Sequence, residues 1–313
     1  MTTRAKNLIT ALLIALALAC AERDPNDLFA PEAGTIVVDA FLVVGQGFPQ
    51  IVLSQTLAPN VPFSREAAAL PGATVRVSGG GTAVDYQEID ISGPGVYAPV
   101  DRVSTVAPST VYRIEITAAD GRRVRASTLT PRAFSVGEWV LLDNAGQNVS
   151  RQLASFADYG DSVYTRPENQ LVYAQGLLEA RFDRSGVVGF QVGLFSKSPG
   201  SAIIIDPDFL DEEELADLPR ANNSPPLEAL DGTVRLPWFA IFFEGKYLFK
   251  VWAMDRNWFD LARTEPSLNG GGFGFGGQVG DDFERPIFHI DGGIGLFGSG
   301  AVDSAGVNVL PRP

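Results

Sequence analysis

The sequence predicts an all-β protein with two short helices, arranged as two sandwich-like domains of which the first is immunoglobulin-like. Three observations lead there. Seven short β-rich runs follow one another from Thr35 over roughly 100 residues, the density of a small sandwich. Glycine, proline and aspartate punctuate most of them, and only two stretches carry helix-start signals.

In the first half, taken as residues 34–131, the runs are 35–44, 50–57, 73–78, 82–89, 95–99, 111–118 and 122–130. Gly45 to Pro49, Gly79-Gly80-Gly81, Ser92-Gly93-Pro94-Gly95 and Asp120-Gly121 separate them, and Asp-Gly between alternating runs is a hairpin signal. In Val111-Tyr112-Arg113-Ile114-Glu115-Ile116, charge alternates with isoleucine, as a half-buried strand requires. Pro131 ends this unit. The second half, 132–313, is less regular, with runs at 134–142, 170–182, 187–195, 201–205, 233–243 and 246–254. Its clearest unit reads as a hairpin of Leu236–Phe243 and Lys246–Met254 across Glu244-Gly245. One helix is expected to start at Asp206-Pro207-Asp208 and stop at Pro219. The other runs near 256–264, N-capped by Asp255 and ending before Pro266. No internal repeat is visible.

Residues 1–19 read as a lipoprotein signal peptide. Arg4 and Lys6 precede an apolar run from Leu8 to Ala19, which is too short for a bilayer that needs roughly 20 residues. The run ends at Cys20, the single cysteine of the chain. In this reading Cys20 becomes the mature N-terminus and its sulfur, as a thioether, carries a diacylglycerol that anchors the protein to a membrane. Ala17 departs from the leucine usual in such signals; an ordinary secretory signal cut after Ala19 is the alternative. Residues 20–33, with Glu22, Asp24 and Asp27, form an acidic tether.

Charge excludes one class of partner. The formal charge is −13, and loss of Arg4 and Lys6 takes it to about −15, with no basic cluster of the kind nucleic acid binding needs. One histidine and no free thiol leave no ligand set for zinc, and no cofactor is expected. Asp206, Asp208 and Asp211 to Glu214 invite a calcium reading, but Leu210 and Asp211 stand where an EF-hand loop needs an oxygen ligand and a glycine, so an acidic helix start is the simpler account. Gly272-Phe273-Gly274-Phe275-Gly276-Gly277 has the spacing of a dinucleotide loop without the strand and helix that make one, and reads as an aromatic-bearing loop. His289 lies in a strand-like run, and no Gly-x-Ser-x-Gly elbow accompanies it, so no catalytic residue is assigned. The candidate ligand or partner surface consists of Trp238, Trp252 and Trp258 with Phe273 and Phe275; packing of a second core is the alternative use of these rings.

Four features together carry a family resemblance: the lipoprotein signal, Ile36-Val37-Val38-Asp39-Ala40, Leu70-Pro71-Gly72-Ala73-Thr74-Val75, and the closing Phe288-His289-Ile290-Asp291-Gly292-Gly293-Ile294-Gly295-Leu296-Phe297-Gly298. The chain resembles the uncharacterised, domain-of-unknown-function lipoproteins of Bacteroidetes-type bacteria, typically encoded near TonB-dependent outer-membrane receptors. The likeness spans nearly the whole mature chain and is most specific in the last 60 or so residues, where Trp252 to Leu261 also takes part. It implies an outer-membrane location, facing the periplasm or the surface, and a receptor nearby. It implies no chemistry. The expected function is therefore that of a non-catalytic, lipid-anchored binding or accessory component beside a TonB-dependent transporter, with a glycan or peptide as ligand. A surface glycan-binding or carbohydrate-active protein and a structural envelope protein are the alternatives.

Overall fold

A computed structural model describes residues 33–89, 92–205, 218–264 and 285–312. Cys20, the helix expected from Asp206 and the loop bearing Phe273 and Phe275 lie outside the described residues. The all-β class holds: the described chain is mostly strand, in two sheets, with short helices at Arg65–Ala68, Phe156–Tyr159 and Arg256–Thr264.

The first seven strands fall on the seven runs read from the sequence: β1 (Ile36–Val43), β2 (Ile51–Gln55), β3 (Thr74–Gly79), β4 (Thr82–Glu88), β5 (Val96–Pro99), β6 (Val111–Thr117) and β7 (Arg123–Leu129). Alternation decides their faces. In β6, Tyr112, Ile114 and Ile116 are buried while Val111, Arg113 and Glu115 are exposed. Beyond Pro131 come β8 (Val136–Leu142), β9 (Val149–Gln152), β10 (Gln170–Val172), β11 (Leu177–Phe182), β12 (Gly189–Ser196), β13 (Ala221–Asn223), β14 (Thr233–Leu236), β15 (Gly245–Met254), β16 (Ile290–Asp291) and β17 (Gly293–Leu310).

The larger sheet runs β13-β12-β15-β17-β1-β2-β5-β4-β3-β6-β7-β16, with β10 pairing the far end of β17. An open sheet of this size curls or folds on itself. Within the first half it does so visibly. β16 pairs with β7, and after Gly292 alone the chain begins β17, which pairs in parallel with β1 from Ile36↔Gly293 to Val43↔Gly300. The two ends of the seven-strand array are thus drawn together, and its inner face closes over Ile36, Val38, Leu42, Ile51, Leu53, Val77, Tyr97, Ile114, Ile116 and Phe297. The sandwich expected of this half is one sheet rolled upon itself.

From Gly300 to Val309, β17 pairs antiparallel with β15, so this single strand of 18 residues serves both halves. The passage depends on Gly295, whose φ of +104° suits glycine and whose added Cβ would lie 2.2 Å from the Val38 carbonyl oxygen. In the second half β12, β15 and β17 face the smaller sheet, β14-β11-β8-β9. Phe190, Val192, Leu194, Phe249, Val251, Ala305 and Val307 from one layer meet Trp139, Leu141, Leu178, Ala180, Val234 and Leu236 from the other.

The expected hairpin across Glu244-Gly245 does not form. β14 pairs with β11 in the smaller sheet, whereas β15 pairs with β12 and β17 in the larger one. Pro237, without an N–H, ends β14 and leads into a 3₁₀ turn at Trp238–Ala240. The chain then crosses between layers with Ile241, Phe242 and Phe243 buried, and Phe243 bridges to Ile203. A run apolar on both faces carries no period that separates a hairpin arm from a buried crossing.

Candidate functional site

The face of β15 opposite the second core carries the candidate site. Alternation along Gly245–Met254 sends Tyr247, Phe249, Val251 and Ala253 into the core and leaves Leu248, Lys250 and Trp252 half-buried on the outer face. Immediately after β15, Asp255 N-caps the 256–264 helix, accepting at Oδ1 from the Trp258 N–H at 2.9 Å. The helix then folds back over the outer face, and Trp258 meets the rings of Phe41 on β1 and Trp252 on β15.

The three rings pack edge to face: Phe41 to Trp258 at 4.8 Å between centroids, Trp252 to Trp258 at 5.8 Å and Phe41 to Trp252 at 5.9 Å. Glycine admits them. A Cβ on Gly300 would lie 3.0 Å from Phe41 and 3.2 Å from Trp258, and one on Gly189 would lie 2.3 Å from the Phe259 ring. All three cluster rings remain partly exposed, so they form a surface as well as a packing contact.

Two acids hold the helix, in opposite electrostatic settings. Asp255 is buried and faces no cation; its Oδ2 accepts from the Thr128 hydroxyl, which also contacts the Ser299 hydroxyl at 2.8 Å. Burial pushes its carboxyl above the usual carboxylate range, against the hydrogen bonds from Thr128 and the backbone N–H of Trp258. For Asp260, burial is the largest influence and opposes ionisation, but His289, Arg263 and Arg256 together outweigh it and lower its pKa. His289 Nε2 lies 2.9 Å from Asp260 Oδ2, Arg263 Nε 3.1 Å from Oδ1, and Arg256 3.7 Å from Oδ1. His289 thus ties the helix to the approach to β16. Asn257 adds a further tie, donating to the carbonyls of Ser127 and Phe297 at 2.7 and 2.8 Å.

Beside the helix an open cleft of about 570 Å³ is lined by Arg113, Glu115, Arg125, Ser127, His289 and Asp291, among others. Arg125 lies 3.7 Å from Glu115. Ser127 and His289 share the cleft, but no hydrogen bond joins their side chains, so the relay a serine nucleophile needs is not assembled. Among the described residues, no three His, Cys, Asp or Glu side chains come together as a metal site.

The sequence-level candidates thus separate. Trp252 and Trp258 come together, whereas Trp238 lies apart, with its indole N–H donating to the Gly176 carbonyl at 2.8 Å and its ring edge-on to Tyr173 at 5.6 Å. Sequence reasoning missed Phe41, because an aromatic in a strand gives no sign of which distant helix covers it. It also missed the Asp255–Thr128–Ser299 contact, whose members are separated by 127 and 171 residues.

The molecule is an all-β protein whose last strand joins a rolled sheet to a two-layer core, with an aromatic surface beside the junction. Residues 24–183 match the family described as Domain of unknown function (DUF4249), and the chain belongs to that family. The match takes in β1 to β11 and stops short of the aromatic and glycine-rich segments of the C-terminal part. No curated protein matches the chain.

Proposed function

We propose that this is a lipid-anchored component of the bacterial outer membrane, held by Cys20, that binds a partner or ligand beside a TonB-dependent transporter in a Bacteroidetes-type cell. The anchoring half of this reading rests on the apolar run ending at Cys20 and the acidic tether behind it. The binding half rests on one observation: Phe41 on β1 and Trp252 on β15 meet Trp258 of a helix tied at both ends in a partly exposed aromatic surface, an arrangement set before any ligand arrives. Among the described residues no helix is long and apolar enough to cross a membrane.

Cell fractionation tests the anchor: Cys20→Ser is expected to move the protein from the membrane to the soluble fraction, and retention in the membrane would remove the first half of the proposal. Purification of the tagged chain in gentle detergent tests the partner. Recovery of a TonB-dependent receptor is expected, and its consistent absence would count against the transporter association. The partly exposed tryptophans also favour a second reading, a glycan-binding surface, since aromatic faces stack on sugar rings.

A further inference from the structure

Lysine occurs four times in the sequence, at positions 6, 197, 246 and 250, and three of these side chains gather on the outer face of β12 and β15. Lys246 and Lys250 occupy alternate positions of β15, while Lys197 follows β12 directly and its N–H donates to the Lys246 carbonyl at 2.8 Å. None of the three makes an ion pair among the described residues, although nine arginines do. Their neighbours are rings. Lys250 Nζ lies 4.8 Å from the Phe195 ring centroid and 5.6 Å from that of Trp252, and Lys246 Nζ lies 5.5 Å from that of Tyr164. Phe195 lies along the sheet because residue 193 is glycine; a Cβ there would sit 2.6 Å from its ring.

The face is a trough rather than a plane. At one end the 256–264 helix sits on Gly300 through Trp258; at the other, Val163 and Tyr164 of the 3₁₀ turn Gly160–Thr165 sit on Gly306. Gly300 and Gly306 stand six residue steps apart on β17, about 20 Å, with Val302 and Ser304 half-buried beside Lys250 and Trp252. Burial and the charge of Lys197 both lower the pKa of Lys250, so this ammonium is incompletely solvated where it stands.

We propose that this trough binds a strand of acidic polysaccharide, with sugar rings stacked on Trp252 and Phe195 and their carboxylate or sulfate groups held by Lys250, Lys197 and Lys246. The inference rests on the reading of this face as a binding surface and names its ligand class. Charge complementarity supports it: on a chain of net charge −13, an anion is repelled in general and attracted where unpaired cations cluster. Shape decides against a bilayer, because a polymer strand reaches the trough floor and a flat array of headgroups does not.

The test is affinity electrophoresis and calorimetry on the full chain carrying Cys20→Ser, with polygalacturonate and dermatan sulfate as acidic probes, dextran as the neutral one, and phosphatidylglycerol vesicles. Binding of an acidic polymer is expected, weakened at least about tenfold by the combined K197Q, K246Q and K250Q substitutions, with the thermal midpoint of that variant unchanged. Equal binding by the triple variant would overturn the proposal, as would binding to the vesicles alone. Dextran binding abolished by Trp252→Ala, without binding of either acidic polymer, would overturn the acidic ligand and leave the binding surface standing. Failure to bind any polymer would overturn the glycan assignment, while recovery of a receptor in the detergent experiment would remain as separate support for the broader function.

Discussion

The two faces of β15 obey the same alternation and serve different ends. Inward, Tyr247, Phe249, Val251 and Ala253 are almost wholly excluded from water and meet a second sheet. Outward, Leu248, Lys250 and Trp252 are only half-covered, between a helix and a turn that rest on glycines of β17. The inner face is constrained by volume, since nearly every atom there has a neighbour. The outer face is constrained by shape and charge. One strand therefore contributes stability through its odd-numbered residues and, in the proposed function, recognition through its even-numbered ones.

Substitutions that separate the faces are expected to differ most in stability. Phe249→Ala should cost about 3–5 kcal/mol, read as a fall in the denaturation midpoint, because it empties a fully buried ring site between two sheets. A loss below ~1 kcal/mol would mean that the inner layer repacks freely. Gly189→Ala, on the outer face of β12, comes next. Its Cβ would overlap the Phe259 ring at 2.3 Å, so the ring must move and is expected to carry the helix with it, at about 1–3 kcal/mol. Such a shift should also change Trp258 fluorescence, and an unchanged spectrum would show that the ring moves without the helix.

The two acids of that helix sharpen the comparison through pH. Asp260 has its pKa lowered in the folded protein, so the stability it contributes is present above the unfolded carboxylate pKa of about 4 and is lost as pH falls through the lower folded value. Asp260→Asn should accordingly cost roughly 2 kcal/mol at neutral pH, with the difference from wild type fading in acid. Asp255 runs the other way. Its raised pKa means that the folded state holds the proton more tightly, so stability declines as pH rises from the unfolded value through the folded one. Asp255→Asn keeps an oxygen for the Trp258 N–H and turns an NH2 donor towards the Thr128 hydroxyl, which can accept from it, and it should remove that decline; a large loss of stability at neutral pH would show that the charge itself holds the helix. Smallest of all, Lys250→Gln should alter the thermal midpoint by less than the equivalent of about 0.5 kcal/mol, consistent with a residue placed for binding.

Legibility followed periodicity. Arg113 and Glu115 alternating with Ile114 and Ile116 announced β6, and the other first-half strands were bounded by turn residues in the same way. Asp255 as a helix cap was equally readable, because capping is decided within four residues. The misread hairpin shows where this stops: Trp238, Phe239, Phe242 and Phe243 are apolar without a period, yet Phe242 and Phe243 enter the core, Phe243 bridging to Ile203, while Trp238 packs on Tyr173 and Phe239 is exposed, and none meets Tyr247 or Phe249 through strand pairing. The candidate site was half legible. Trp252 and Trp258 stood out by type, but Phe41, Phe195 and the three lysines gained meaning only from the register that sets β12, β15, β17 and β1 side by side.

By itself, then, the amino-acid order determined what depends on near neighbours: an all-β chain, seven strands in the first half with their inner and outer faces, and a capped helix at 256–264. It also carried the apolar run ending at Cys20, on which the proposed anchor rests. Only the tertiary structure decided that the last strand joins the first in parallel and then turns to β15, that Trp238 and Trp252 part company, and that Lys197, Lys246 and Lys250 share a trough. The physical reason is separation along the chain. Propensity, alternation and capping act over a few residues, whereas parallel pairing and the convergence of charges are contacts between distant segments, selected by the burial of whole faces.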